Sequence, residues 1–307
     1  MDFQTFIRLL FKSSDFTEAE KNSIHILPLL PGESFMPQHI FSSRRLSAWY
    51  ELINSKDLLH IISKRSIKTF FQPLFLAKDL ELFGFEALSR GVAEDGTIIP
   101  PVELFKKAKI LDLQFALDRL TREKAIENAK SNGLGDYMIF INFMPDAIYN
   151  PKECLSTTII TSKKVEFRPE RLIFEVIESE QVKDIQHLKS ILDYYRSKGF
   201  KTALDDFGSG YSSLKMLEIL TPDFVKIDMH FVRGIHQDSF KKSIVKTVIS
   251  LCRDKDIKTI AEGIESYEEY ETIVDLEVDF VQGYLFAKPA PDVNLDSLRD
   301  VKSRIKS

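Results

Sequence analysis

From about residue 66 onward the chain repeats one pattern. A short run rich in Val, Ile, Leu and Phe ends in a polar residue, and an amphipathic stretch of helical period follows. The runs are KTFFQPLF, LFGFEAL, YMIFINF, RLIFEVI, KTALDD, DFVKID, IKTIAEG and DFVQGYLF. Between them, residues 102–109, 113–130, 185–198, 213–219, 240–254 and 267–275 each carry one apolar stripe and predict helices. Continuous apolar runs alternating with helices mark strands buried on both faces, hence a mostly parallel sheet. Eight such units in about 240 residues fit a TIM-type (βα)8 barrel, which typically takes about 250. Only LAKDLE separates the first two runs, too little for a crossover helix, so the first strand is expected to be antiparallel to the second.

The first 65 residues lack this rhythm. Phe3, Phe6, Ile7, Leu9, Leu10 and Phe11 predict one face of a short helix ending near Ser13, residues 24–37 hold three prolines and no sustained period, and residues 46–63 read as helical again. The expected organisation is therefore residues 1–65 as a helical N-terminal extension, regulatory or dimerising, and residues 66–307 as the barrel.

Composition narrows the class. The 307 residues are 44% hydrophobic with 29% charged, an ordinary globular mix. Lys plus Arg is 42 and Asp plus Glu is 46, giving −4, a balance that does not point to a DNA or RNA polymer or to an anionic membrane. No window approaches the roughly 18 apolar residues of a transmembrane segment, so the expected location is cytoplasmic. Cys154 and Cys252 are too few for a disulfide framework, and the six histidines share no metal-ligand spacing.

The chemistry collects at the strand ends. After the first strand these positions are Glu86, Asn142, Glu175, Asp205 with Asp206, Lys226, Glu262 and Gln282. In a parallel barrel all of them face the C-terminal rim, where barrel enzymes keep their active sites. So many carboxylates in one ring require cations among them, and all-oxygen ligation favours hard divalent ions such as Mg²⁺ or Mn²⁺ over zinc. The adjacent acids Asp205 and Asp206 suggest a carboxylate shared by two ions, the arrangement used for in-line displacement at phosphorus. Lys226 beside them is suited to hold the attacking water, to neutralise a phosphate oxygen, or to act as a base if its pKa is depressed.

The strings FQPLF, GFEALSR, INF, FEVIES, ALDDFGSGYSSL, PDFVKID, AEGIE and QGYLFAKP, in that order over about residues 71–289, closely resemble the EAL-domain cyclic di-GMP phosphodiesterases. The resemblance implies hydrolysis of cyclic di-GMP to linear pGpG with two ions, Mg²⁺ or Mn²⁺. It implies metal ligation by Glu86, Asn142, Glu175, Asp205, Asp206 and Glu262, and a lysine, Lys226, that orients or deprotonates the attacking water. Gln282, Arg90, Gln72 and Leu88 match positions that contact or line the substrate. Glu178 matches the glutamate that tethers the DDFGSGYSS loop, and the resemblance implies a homodimer with that loop near its interface. A regulatory protein reached through residues 1–65 is a further expected partner. Ser89 and Gly91 stand where larger residues commonly flank the arginine, which bears on the cleft wall, and Ser209 stands for the usual Thr or Ala. Two rival readings are a catalytically silent cyclic di-GMP receptor and a barrel hydrolase of another phosphodiester. Degenerate receptors lose acids from the ring, and here none is missing.

Overall fold

The computed structural model describes residues 2–29, 33–36, 43–144, 151–177, 184–209 and 213–305. It divides the chain into two compact units, residues 1–67 with 90–117, and residues 68–89 with 118–307.

In the first unit the helix Phe3–Lys12 begins at Asp2, whose side chain accepts from the Thr5 backbone N–H, and it buries Ile7 with Leu46 and Ile53. Phe3 meets Trp49 edge-on, Phe11 stacks on Tyr50, and Trp49 donates its indole N–H to the Ile26 carbonyl. The segment read as one helix over 46–63 is two, Leu46–Asn54 and Lys56–Lys64, broken at Ser55. His25–Ile26 and Arg44–Arg45 form a two-residue antiparallel ribbon too short to show in a hydrophobic pattern. A Cβ on Gly91 would lie 2.6 Å from Ile61 and 2.8 Å from Leu104, so this glycine serves close packing within the unit.

The second unit is a closed eight-stranded barrel. Its strands are β1 (Ile67–Leu76, of which residues 68–76 belong to this unit), β2 (Leu82–Val92, of which residues 82–89 do), β3 (Met138–Asn142), β4 (Leu172–Ile177), β5 (Lys201–Phe207), β6 (Phe224–Ile227), β7 (Lys258–Ala261) and β8 (Phe280–Val281). Neighbours from β2 through β8 pair in parallel in chain order. β1 pairs antiparallel with β8 and also pairs with β2, which closes the ring with one reversed strand. The helices are α1 (Gln114–Ser131), α2 (Pro151–Lys164), α3 (Ile185–Ser197), α4 (Ser213–Leu220), α5 (Ser239–Arg253) and α6 (Tyr267–Asp275). Five of these match the expected stretches. The exception, α2, carries the run TTIIT, whose β-branched residues hide a helix from a propensity reading.

Strand alternation sorts the side chains. Met138, Phe140, Ile173, Ala203, Phe224, Ile260 and Phe280 point inward and fill the barrel with Leu74, while Ile139, Phe174, Val225 and Val281 point outward under the helices. Two strand pairs share a clasp at the opposite end from the predicted site. Asp223 Oδ2 accepts from Thr202 N (2.8 Å) and Oγ1 (2.9 Å), and Asp279 Oδ2 accepts from Thr259 N (2.9 Å) and Oγ1 (3.0 Å). No helix among the described residues is long and apolar enough to cross a membrane.

Candidate active site

The period of two that fills the barrel also builds the site. Two residues beyond the inward Phe140, Ile173, Ala203, Phe224, Ile260 and Phe280 come Asn142, Glu175, Asp205, Lys226, Glu262 and Gln282. Glu86 follows Gly84 in the same way on β2. The next layer inside the barrel is therefore polar, and residues nearly 200 positions apart touch: Gln282 Nε2 donates to Glu86 Oε2 at 2.9 Å.

Lys226 lies at the centre, 1% exposed. Its Nζ is 2.8 Å from Glu262 Oε1, 2.9 Å from Glu175 Oε1, 3.0 Å from Asp205 Oδ1 and 3.6 Å from Glu86 Oε2. Burial pulls its ammonium down, but the four carboxylates, Asp205 foremost, reverse this and hold it well above the ordinary lysine value. Lys226 is therefore held as a cation among these carboxylates. Burial pushes the Glu175 and Glu262 carboxyls well above the usual range; Lys226 opposes this and the neighbouring acids add to it. Asp206 is raised to about 6, by burial first and by Asp205 second.

Asn142 Nδ2 donates to Glu175 Oε2 at 3.1 Å and, more weakly, to Glu86 Oε1 at 3.5 Å, tying two acids together. Alternation alone would turn Asp206 away from Asp205. The pairing of β5 with β6 is irregular between Leu204 and Phe207, and Asp206 takes a left-handed backbone (φ 53°). This bulge turns both acids toward the ring. Two groups of oxygens result, each spanning no more than 4.8 Å: Glu86, Glu175 and Asp205, and Asp205, Asp206 and Glu262. Asp205 is common to both.

A cavity of about 240 Å³ opens over this ring, lined by Gln72, Glu86, Asp206, Glu262 and Gln282 among the expected residues. Asp228, Met229, Arg233, Glu265 and Tyr284 line it too. They sit beyond β6, β7 and β8, Met229 opening the short helix Met229–Val232 and the others in the connecting loops, where no periodicity marks them. Glu269 of α6 organises two of these loops by accepting from the backbone N–H groups of Gly234 (2.7 Å), Glu265 (2.9 Å) and Ser266 (3.1 Å). Leu88 is half-buried on β2, Arg90 belongs to the first unit, and Glu178 lies outside the described residues.

The family profile described as EAL domain matches residues 55–289. The chain belongs to the EAL domain family. Among EAL relatives, the probable cyclic di-GMP phosphodiesterase PdeG of Escherichia coli is 31% identical over 258 residues, covering 81% of this chain and 50% of that protein. The chain spans from 29% to 50% of the length of this and two further curated relatives. A standalone EAL protein of Vibrio cholerae, solved with cyclic di-GMP bound, is 39% identical with a TM-score of 0.68, over 75% of this chain and 97% of that one. BlrP1 of Klebsiella pneumoniae, solved with manganese and cyclic di-GMP, is 30% identical with a TM-score of 0.67, over 73% of this chain and 56% of that one.

Proposed function

We propose that this EAL domain hydrolyses cyclic di-GMP to linear pGpG with two divalent ions, Mg²⁺ or Mn²⁺. The observation that carries the reading is the acidic ring: two oxygen triads joined at Asp205, with the buried Lys226 ammonium among them. The donor set fits hard cations, being carboxylate and carboxamide oxygens without His or Cys, and Gln282 Oε1 is buried beside it with no hydrogen-bond partner. Glu86, Glu175 and Asp205, with Asn142, would hold one ion, and Asp205, Asp206 and Glu262 the other. When bound, such ions polarise a phosphoryl oxygen and acidify water.

The chain's own groups then divide the work. Lys226, an ammonium, donates to the attacking water and fixes its approach to phosphorus. Glu262, a carboxylate whose affinity for protons is raised by burial, is suited to take the water's proton. The new bond joins the water oxygen to phosphorus, the bond from phosphorus to the ribose 3′ oxygen breaks, and that oxygen takes a proton from solvent. Gln72, Gln282, Leu88 and Arg90 belong to substrate binding in this reading, and Glu86 both ligates and, through Gln282, braces the rim.

The test is incubation of the purified chain with cyclic di-GMP and Mg²⁺ or Mn²⁺, against an EDTA control, with chromatographic separation of products. Metal-dependent pGpG is expected, and Asp205→Asn should reduce it by three orders of magnitude or more, about 4 kcal/mol of barrel-site stabilisation. Binding without turnover would establish the silent receptor instead. The same reading includes a homodimer and a regulatory protein reached through residues 1–65, whose outer helix exposes Phe6 and Leu9. Sedimentation at micromolar concentration, with and without residues 1–12, tests both the assembly and the contribution of that helix.

A further inference from the structure

Outside the ring, the described residues of the second unit bury one complete ion pair. Asp118 and Arg122, one turn apart on α1, have side chains 1% and 0% exposed. Arg122 Nε donates to Asp118 Oδ2 at 3.0 Å and Nη2 lies 2.9 Å from the same oxygen. Nη1 crosses to α2, donating to Thr158 Oγ1 at 2.6 Å and to the Cys154 carbonyl at 3.3 Å. Desolvating two charges costs several kcal/mol each, and a well-packed apolar pair often holds two helices equally well or better. Joining α1 to α2 therefore does not account for the pair.

The other oxygen of Asp118 does something an apolar side chain cannot. Oδ1 accepts from the Met144 backbone N–H at 3.0 Å. Met144 is two residues past Asn142, where β3 has ended and the ladder no longer fixes the chain. Phe143 between them is wedged against Phe174 (6.0 Å) and Tyr195 (5.6 Å), and Phe174 itself precedes Glu175. Asn142, whose amide ties Glu86 to Glu175, is registered against Glu175 by the ladder, and Phe143 N still donates to the Glu175 carbonyl at 3.2 Å; beyond that bond the chain is held from behind by the Asp118 acceptor and the aromatic cluster.

We infer that Asp118, held in place by Arg122, is a positioning residue for Asn142 and through it for the Glu86–Glu175 side of the ring. The inference rests on the metal-site reading above, and its test does not rely on turnover. Mn²⁺ binding to the full chain is followed by the electron paramagnetic resonance signal of free Mn²⁺, alongside metal-free melting curves. The double variant Asp118→Leu/Arg122→Met keeps an apolar contact and removes the Met144 acceptor. Its Mn²⁺ affinity should fall about tenfold or more, the usual cost of losing an outer-shell partner, while its melting temperature stays near wild type. Asp118→Asn/Arg122→Met retains an oxygen for Met144 with no guanidinium competing for it, and should bind Mn²⁺ close to wild type. Val245→Ala, in the core of α5, should lower the melting temperature and leave Mn²⁺ binding unchanged. Should Asp118→Leu/Arg122→Met fail to fold, Asp118→Ala/Arg122→Met against Asp118→Asn/Arg122→Met makes the same comparison.

Wild-type Mn²⁺ affinity in Asp118→Leu/Arg122→Met, or an equal loss in Asp118→Asn/Arg122→Met, overturns the inference. A wild-type chain that binds Mn²⁺ and makes no pGpG ends the hydrolase reading but leaves this comparison decisive. One that binds no Mn²⁺ ends both.

Discussion

Replacing Lys226 by Met removes the only cation that, among the described residues, contacts Glu86, Glu175, Asp205 and Glu262, at 2.8–3.6 Å, from a site where the lysine is 1% exposed. Deleting one partner of a buried ion pair typically costs about 3–5 kcal/mol, because the remaining charge is stranded in low dielectric. At roughly 2 °C per kcal/mol for a chain of this length, the metal-free variant should melt about 6–10 °C below wild type near pH 8. Acid should relieve the loss. Without the ammonium, Glu175 and Glu262 rise further above the usual glutamate value of 4.5 and bind protons that the unfolded chain does not. Between 4.5 and those raised values the folded variant holds more protons than the unfolded one, so its stability falls as pH rises and is recovered as pH drops. Differential scanning calorimetry in EDTA at pH 5.5 and 8, repeated with excess Mn²⁺, reads the effect, and the ions should restore most of it because they supply the missing charge. Melting within about 2 °C of wild type at pH 8, or a deficit that grows toward acid, would refute the argument.

Three further outcomes follow from the same coordinates. Loading the metal-free protein with Mn²⁺ at pH 5.5 should release protons, because Asp206, raised to about 6, must ionise to ligate, and Glu175 and Glu262, raised above the usual range, add to the release. Titration calorimetry in two buffers of different ionisation enthalpy measures it, and buffer-independent heats would contradict it. Gly208→Ala should destabilise the fold by about 1–3 kcal/mol, since φ is +100° there and the added Cβ would press on the Phe231 ring; an unchanged melting temperature would show that the turn after β5 accommodates it. Neither Cys154 nor Cys252 should react with iodoacetamide in the native protein at pH 8, both being buried and Cys252 pushed up to about 12 by burial; intact-mass labelling within an hour would count against the packing described for α2 and α5.

Much of this site is legible from sequence because strand alternation converts position into direction. Once the apolar runs are read as strands buried on both faces, a polar residue two places beyond an inward Phe140, Ile173 or Phe224 has nowhere to point except the barrel's end. The reversed β1 follows from loop length in the same way. What the sequence hides are departures from periodicity. Asp206 joins Asp205 through a bulge, and a bulge leaves no mark in a hydrophobic pattern. The helix α2 carries TTIIT, which local propensity reads against. Arg122 looks like a solvated charge in the amphipathic stretch of α1, and only packing against α2 reveals it as fully buried. Arg233 and Tyr284 reach the cavity from loops, whose course is set by remote hydrogen bonds such as those of Glu269.

The two clasps at the far end of the barrel give the ring a further property. Asp223 opens the string Asp-Phe-Val-Lys and Asp279 opens Asp-Phe-Val-Gln, and each aspartate anchors its string on a threonine of the preceding strand. In both strings the phenylalanine fills the barrel and the fourth residue enters the ring, once as the ammonium of Lys226 and once as the amide of Gln282. The clasp thus works as a jig that sets the height of the fourth side chain whatever its chemistry. Placement and charge are independent variables in this scaffold, so the ring can be retuned by editing single payload residues without redrawing the strands that deliver them.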